Sequence, residues 1–288
     1  MKFILKKTDI PSLLKTATEF LNEKKIKNAK ISAEILLSHI LKIKRSDLFL
    51  NFDKTLVEDD IKKYEHFIKR RAKKEPIEYI TGKVDFYGCE ILVDKNVLIP
   101  RVETEILVDL ICKKLEKDNL DGKILIDLCT GSGVVAIALK KRFPRLKVMG
   151  GDISKKAFNI AKKNAKLNNV NAFFELGDLL KPFKNVKADF IVSNPPYVSE
   201  IEYLALDEDV KNFEPKKALI AKDGGLEFYK KIEKQIFTYV NPKAKLFFEI
   251  GYLQKKEVLN IFSDKKYVLK QVIKDFSKKD RFFFVEIE

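Results

Sequence analysis

A doubly wound α/β fold is predicted, with a Rossmann-like seven-stranded sheet ending in an antiparallel hairpin, a small N-terminal helical bundle and a linking β-hairpin. Three observations predict it. Residues 1–75 read only as helices. From residue 123 onward, short apolar runs alternate with helical patterns, which gives a parallel sheet covered on both faces. The alternation breaks at the end, where "KKYVLKQVIKD" and "RFFFVEIE" are separated by little more than "FSKK". So short a connection permits only an antiparallel pair.

The N-terminal region, residues 1–75, has three helical stripes. Leu13, Leu14, Ala17, Phe20 and Leu21 recur at helical spacing after Pro11, and "SAEILLSHIL" repeats the pattern with Ser32 as its expected N-cap. Leu56, Ile61, Tyr64, Phe67 and Ile68 mark the third, which Pro76 closes. Residues 76–100 change texture. The Tyr, Thr, Val, Ile and Phe of "IEYITGKVDFYGCEILVD" predict a β-hairpin or a pair of short strands. Residues 101–288 form the third region, opening with a helix over 105–115. Strands are expected at 123–128, 146–151, 171–176, 188–193 and 245–250, and helices at 134–143, 155–167, 226–238 and 254–262.

With 288 residues, 45% of them hydrophobic and 22 Phe, the chain has material for a large domain and a small one. No window approaches the roughly 20 apolar residues of a membrane span. The start "MKFILKKTDIP" is too short in apolar residues for a secretory signal, so a cytoplasmic location is expected. Cys89, Cys112 and Cys129 are an odd, scattered set that suits a reducing compartment. His39 and His66 have no Cys partner at ligand spacing, so no metal is expected. The net charge of +15 has two readings, a background composition bias or a preference for anionic partners. The lysines are spread along the whole chain rather than set in a block among aromatics, which favours the first.

Chemistry enters at "DLCTGSG". Asp127 ends the first strand of the sheet, and Cys129, Thr130, Gly131, Ser132 and Gly133 lead into a helix. Glycines there allow a tight turn and close approach of a ligand to a helix N-terminus. Asp152 ends the next strand, where a carboxylate can accept both hydroxyls of a ribose. A nucleoside-containing cofactor is expected across the strand ends. Gly131 to Ala136 also fit the dinucleotide fingerprint. Two features favour S-adenosylmethionine instead: the negative charge of Asp127 before the loop, and the terminal hairpin. Asp178 in "LGDLL" is placed to accept from an adenine amine with Leu179 packed on the ring; its bland alternative is an ordinary turn aspartate.

The strand at 188–193 stops at "SNPPY". Two prolines end a strand and remove its donors. Asn194 Oδ1 and the Pro195 carbonyl are then converging acceptors, which suit a planar –NH2 group, with Pro196 following and the Tyr197 ring covering the plane. Accepting both N–H bonds orients a poorly nucleophilic nitrogen towards a methyl donor.

"PIEYITG", "FYG", "LIPRVETE", "DLCTGSG", "GDIS", "NPPY", "FEP", "DGGLEFY" and "EIG…Q" occur in this order over nearly the whole chain. In them the sequence closely resembles the release-factor glutamine methyltransferases, the PrmC/HemK family. The resemblance implies that residues 1–75 help dock a peptide chain release factor, and that residues 76–100 form a β-hairpin linker. Residues 101–288 would be an S-adenosylmethionine-dependent methyltransferase domain. Residues 129 to 133, Asp152, Asp178, Leu179 and Asn194 would hold the cofactor, and Asn194 to Tyr197 the glutamine of a Gly-Gly-Gln motif, with Asn194 and Pro195 catalytic. The resemblance leaves ribosome association open and implies no direct nucleic-acid specificity and no membrane. Two departures stand out. Cys129 replaces a frequent glycine, with little disturbance expected, and Val102 replaces a frequent proline, a change expected to loosen its loop. Arg101, Glu103 and Glu105 are expected to orient that loop by ion pairs. One rival is an amino-methyltransferase of DNA or RNA bases, which shares NPPY. The other is a release-factor or ribosome-binding module with a degenerate pocket, against which Asp152, Asn194 and both loop glycines count.

Overall fold

The computed structural model describes residues 4–5 and 7–288. Met1 to Phe3 and Lys6, part of the stretch weighed as a leader, lie outside the described residues. Two compact units emerge, one drawn from Met1–Gly82 with Glu208–Phe213, the other from Lys83–Asp207 with Glu214–Glu288. No helix among the described residues is long and apolar enough to cross a membrane.

The first unit is helical. Helix α1 (Ile10–Glu23) starts at Asp9, whose carboxylate accepts the Ser12 N–H at 2.9 Å, and buries Ile10, Leu13, Ala17 and Leu21. Helix α2 (Ala29–Leu41) begins a turn earlier than expected. Ser32 is not its N-cap. It is buried inside the helix with its N–H on the Asn28 carbonyl, and Asn28 forms the left-handed entry. Helix α3 (Glu58–Arg71) has three acids in its first turn and three basic residues in its last, as the helix dipole favours. Its Tyr64 is fully buried and donates to the Ala33 carbonyl at 3.1 Å, joining α3 to α2.

Residues 77–81 are a correction. They read as strand but form a helical turn, α4 (Ile77–Thr81), between Pro76 and Gly82. Packing overrides β-propensity here. Ile80 joins the core of α1–α3, and the Arg70 guanidinium donates to the Tyr79 and Ile80 carbonyls that the turn leaves open. Helix Glu208–Phe213 belongs to this unit although it follows NPPY in the chain. Arg71 donates to Asp209 at 3.1 Å, and Lys74 pairs with Glu208.

The second unit opens with the antiparallel hairpin β1 (Lys83–Phe86) and β2 (Cys89–Leu92). After helix α5 (Val102–Leu115) come β3 (Ile124–Leu128), α6 (Val134–Arg142), β4 (Lys147–Asp152), α7 (Lys155–Leu167), β5 (Phe173–Leu176) and β6 (Ala188–Ser193). Strands β7 (Val240–Glu249), β8 (Tyr267–Lys274) and β9 (Asp280–Ile287) complete a seven-stranded sheet in the order β5-β4-β3-β6-β7-β9-β8. The first five are parallel, and β9 runs antiparallel to both neighbours, as expected. The helix expected over 226–238 divides into Glu227–Glu233 and Ile236–Tyr239.

The apolar runs of these strands pack on both faces. On one side Phe248, Phe262 and Phe283 are all fully buried, with ring centroids 5.3–6.3 Å apart. Registers set the site. Leu128 lies opposite Gly151 on one side and Ser193 on the other, and Asp152 lies opposite Leu176. The residues after β3, β4, β5 and β6 therefore emerge side by side at the carboxyl edge, where open α/β sheets bind ligands.

Candidate active site

The first half of the site is the turn between β3 and α6. Asp127, at the end of β3, is buried, and its Oδ2 accepts the Thr130 hydroxyl and the Ala136 N–H. Burial pushes its carboxyl up to about 7, against those two hydrogen bonds. Its first role is to brace the turn and cap α6, so the full negative charge expected before the loop is weakened. Thr130 N–H donates to the Gly151 carbonyl at 3.0 Å, and Gly131 N–H donates to Asp152 Oδ2 at 2.9 Å. Ser154 N–H holds the other oxygen of Asp152 at 2.8 Å. Each oxygen keeps a second lone pair for a ligand. Burial raises the Asp152 carboxyl, again opposed by its backbone partners.

Gly131 sits at φ +56°, and a Cβ there would come within 4 Å of nothing nearer than the Cys129 carbonyl, at 4.0 Å. The turn thus presents open backbone beside an anchored carboxylate, which fits a nucleoside cofactor. Cys129 is the strained member of the turn. Its φ of +58° is the conformation glycine adopts freely and other residues adopt at about 1–2 kcal/mol. The substitution is therefore not free of cost, contrary to the expectation above. Burial and the nearby Asp152 and Asp127 push its thiol up, so it is an inert group.

Asp178 and Leu179 follow β5. Leu179 is buried, at φ +50°, while Asp178 pairs with Lys181 at 2.8 Å. The turn adjoins the site, for the Gly177 N–H donates to the Asp152 carbonyl. Asn164 of α7 was not singled out in the sequence, where it is one polar residue on a helix. It is fully buried, and its amide bonds the Ser132 carbonyl at 2.9 Å and both the N–H and the carbonyl of Leu92, pinning the turn to β2.

The second half is NPPY. Pro195 and Pro196 are buried, and Asn194 and Tyr197 are partly exposed. Asn194 Nδ2 donates to Thr104 Oγ1 at 3.1 Å, the Thr104 hydroxyl to Glu249 Oε2 at 2.8 Å, and the Tyr197 hydroxyl to Glu249 Oε1 at 3.1 Å. Among the described residues, nothing donates to Asn194 Oδ1 or to the Pro195 carbonyl. Asn194, Pro195 and Tyr197 line a cavity of about 60 Å³ with Leu98, Arg101 and Glu249.

Residues from three distant stretches hold this turn, and in the sequence they carry no role beyond their place in a motif. Thr104 lies in "LIPRVETE", and Glu249 and Gln254 in "EIG…Q". Gln254 Nε2 donates to the Tyr197 carbonyl at 2.9 Å. Tyr229 of "DGGLEFY" donates to the Glu249 carbonyl at 2.8 Å. Gly225 of the same motif is needed because a Cβ there would stand 2.2 Å from the Tyr197 carbonyl oxygen. The ion pair expected within "RVETE" is different in kind. Arg101 pairs with Glu214 of "FEP", whose other oxygen accepts the Ile99 N–H at 3.3 Å, while Glu105 accepts the Tyr87 N–H at 2.9 Å. Val102 takes the first helical position of α5, where a proline is tolerated for want of a partner for its N–H.

Residues 12–82 match the family model described as the PrmC N-terminal domain, and residues 103–225 match the methyltransferase small domain. The release factor glutamine methyltransferase of Thermodesulfovibrio yellowstonii is 37% identical over 88% of this chain and 91% of its own. That of Bacillus cereus is 36% identical over 96% of this chain and 98% of its own. The chain belongs to the release factor glutamine methyltransferase family. Likeness in fold extends further, to a methyltransferase from Pyrococcus furiosus at a TM-score of 0.52 and 19% identity, covering 69% of this chain and 89% of that one. The turn after β3 and NPPY emerge from the neighbouring strands β3 and β6, with Leu128 opposite Ser193.

Proposed function

We propose that the protein transfers a methyl group from S-adenosylmethionine to the side-chain amide nitrogen of the glutamine in the Gly-Gly-Gln motif of peptide chain release factors. The observation that carries this reading is the amide of Asn194. Its nitrogen is engaged by Thr104 at 3.1 Å, which leaves Oδ1 as an acceptor in a cavity shared with Pro195 and Tyr197. Two acceptors beside an aromatic ring suit a planar primary amide.

Bound S-adenosylmethionine supplies an electrophilic methyl group on a cationic sulfur. Asp152 would hold its ribose hydroxyls, residues 129 to 133 would line its backbone-facing side, and the Asp178–Leu179 turn would take the adenine. Asn194 Oδ1 and the Pro195 carbonyl accept the two N–H bonds of the glutamine amide and fix its plane. As the nitrogen becomes positive, these two oriented dipoles stabilise it, a preorganised effect on the order of several kcal/mol. The amide proton, made strongly acidic by methylation, leaves without a dedicated base. The Tyr197 ring keeps water from the acceptor face, and its hydroxyl stays protonated, because burial and the neighbouring Glu249 raise it.

Residues 1–75 serve as the docking domain for the factor. The protein acts in the cytoplasm on release factors, whether free or near the ribosome, with no direct nucleic-acid specificity. Incubation with methyl-labelled S-adenosylmethionine and, side by side, recombinant release factor, DNA and ribosomal RNA tests this. Label is expected on the factor alone. Label on nucleic acid and not on the factor would overturn it in favour of a base amino-methyltransferase.

A further inference from the structure

We infer that Thr104 and Glu249 are positioning residues for methyl transfer, setting which end of the Asn194 amide faces the acceptor. The inference rests on the proposed role of Asn194 and goes one layer behind it.

An amide side chain is nearly symmetric in shape, and its two ends have opposite hydrogen-bonding character. Asn194 can serve an incoming –NH2 only if its oxygen, not its nitrogen, faces the cavity. Shape alone does not decide this; the groups behind it must. The decision starts at Glu249, which is 1% exposed at the end of β7. The Thr104 and Tyr197 hydroxyls favour its ionised form against the burial that opposes it, and an ionised carboxylate only accepts. Both its oxygens receive hydroxyl donors, Thr104 at Oε2 and Tyr197 at Oε1, at 2.8 and 3.1 Å. A threonine hydroxyl has a single proton, and here Glu249 takes it. Towards Asn194 the Thr104 oxygen is then an acceptor, and only the Nδ2 end of the amide satisfies it, at 3.1 Å.

The far side of the chain runs in the same sense. Arg281 Nη1 lies 3.5 Å from the Tyr197 hydroxyl oxygen and donates to the Ile250 carbonyl at 3.2 Å. The guanidinium therefore leaves the Tyr197 proton pointed at Glu249. Tyr229 secures the Glu249 backbone from below, at 2.8 Å. The Thr104 and Tyr197 hydroxyls both converge on one carboxylate, and the directional consequence is an Asn194 oxygen turned outward. Thr104 enters from α5 and Glu249 from β7, so the network also fixes the distance of NPPY from both elements.

The test compares Thr104→Val, Thr104→Ser, Glu249→Gln and Asn194→Ala. Methyl transfer to a release factor gives kcat and KM, and calorimetry with S-adenosylhomocysteine gives the cofactor-side Kd. Valine keeps the shape of threonine and removes both the proton and the acceptor. Thr104→Val is expected to lower kcat by about 10- to 100-fold, with KM and the cofactor-side Kd within about threefold of wild type. Thr104→Ser restores the hydroxyl and should recover kcat to within about threefold. Glu249→Gln preserves volume but offers an N–H where a proton acceptor is required, so kcat should fall with the unfolding midpoint little changed. Wild-type kcat in Thr104→Val or Glu249→Gln would overturn the inference, as would equal losses in the valine and serine variants. Should Thr104→Val fail to fold, the other two substitutions decide. A wild-type rate in Asn194→Ala would overturn the underlying site reading and the inference with it. Loss in Asn194→Ala beside wild-type kcat in Thr104→Val would overturn the inference alone.

Discussion

Asp152 and Cys129 show how differently two residues of one turn are used. Asp152 is held by two backbone N–H groups, so its carboxylate is oriented before any ligand arrives. Asp152→Ala should weaken cofactor binding by an order of magnitude or more, about the 1.5–3 kcal/mol of charge-assisted hydrogen bonds, read by calorimetry. An unchanged dissociation constant would contradict the ribose assignment. Cys129 contributes shape and strain, at φ +58°. Cys129→Gly relieves the strain while removing a small, partly buried side chain, so its stability in urea should stay within about 1 kcal/mol of wild type. Cys129→Val, β-branched in a left-handed conformation, should be the less stable of the two by about 2 kcal/mol. Equal stabilities for the glycine and valine variants would mean that the backbone relaxes there at no cost. The sequence showed that Cys129 was small; it did not show the sign of its φ, which depends on the path from β3 into α6.

Among the elements, the two glycines of "DGGLEFY" form an internal control. Gly224 and Gly225 both have positive φ, 64° and 90°, but a Cβ at Gly224 meets nothing within 4 Å. Gly224→Ala should cost about 1 kcal/mol from backbone strain alone. Gly225→Ala adds a collision with the Tyr197 carbonyl and the Gln254 amide, and should lower both stability, by about 2 kcal/mol or more, and the transfer rate. Similar behaviour of the two variants would show that NPPY does not depend on that contact. The alternating pattern of strands and helices was legible because burial on both faces writes itself as apolar runs, and the terminal hairpin because its connection is short. Residues 77–81 and Ser32 were misread for different reasons. At 77–81 tertiary partners, Arg70 and the α1–α3 core, override the local pattern, whereas at Ser32 the helix simply starts one turn earlier, at Asn28, whose carbonyl accepts the Ser32 N–H.

At the scale of the whole molecule, three carboxyls at or behind the site, Asp127, Asp152 and Glu249, are raised above their usual range, each chiefly by burial. A carboxyl raised in the folded state binds its proton more tightly there than in the unfolded chain. Its contribution to stability is full below about pH 4 and is lost as pH rises, for Asp127 up to about 7. Asp127 should therefore withdraw stability from the unliganded protein between pH 4 and 7, at up to about 1.4 kcal/mol per pH unit. Asp127→Asn should flatten that slope in urea titrations, and an unchanged slope would show that Asp127 is ionised throughout. That Asn194 to Tyr197 and the turn after β3 emerge from neighbouring strand ends was legible in the sequence, since prolines, glycines and strand-end acids mark such ends; the acceptor and cofactor roles given to them are the proposal above. The supporting set, Thr104, Glu214, Tyr229, Glu249 and Gln254, was visible only as letters in motifs. Their partners lie 20 to 145 residues away in the chain, and no local rule connects them.

In the proposed function, Asn194 orients an acceptor amide and does little for the cofactor. The most direct test of that role measures, for wild type and Asn194→Ala, the methylation of the Gly-Gly-Gln glutamine by mass spectrometry alongside the affinity for S-adenosylhomocysteine. Asn194→Ala should keep that affinity within about threefold while losing most of the rate, on the order of 100-fold or more. A collapse of cofactor affinity with a high residual rate on the glutamine would contradict it.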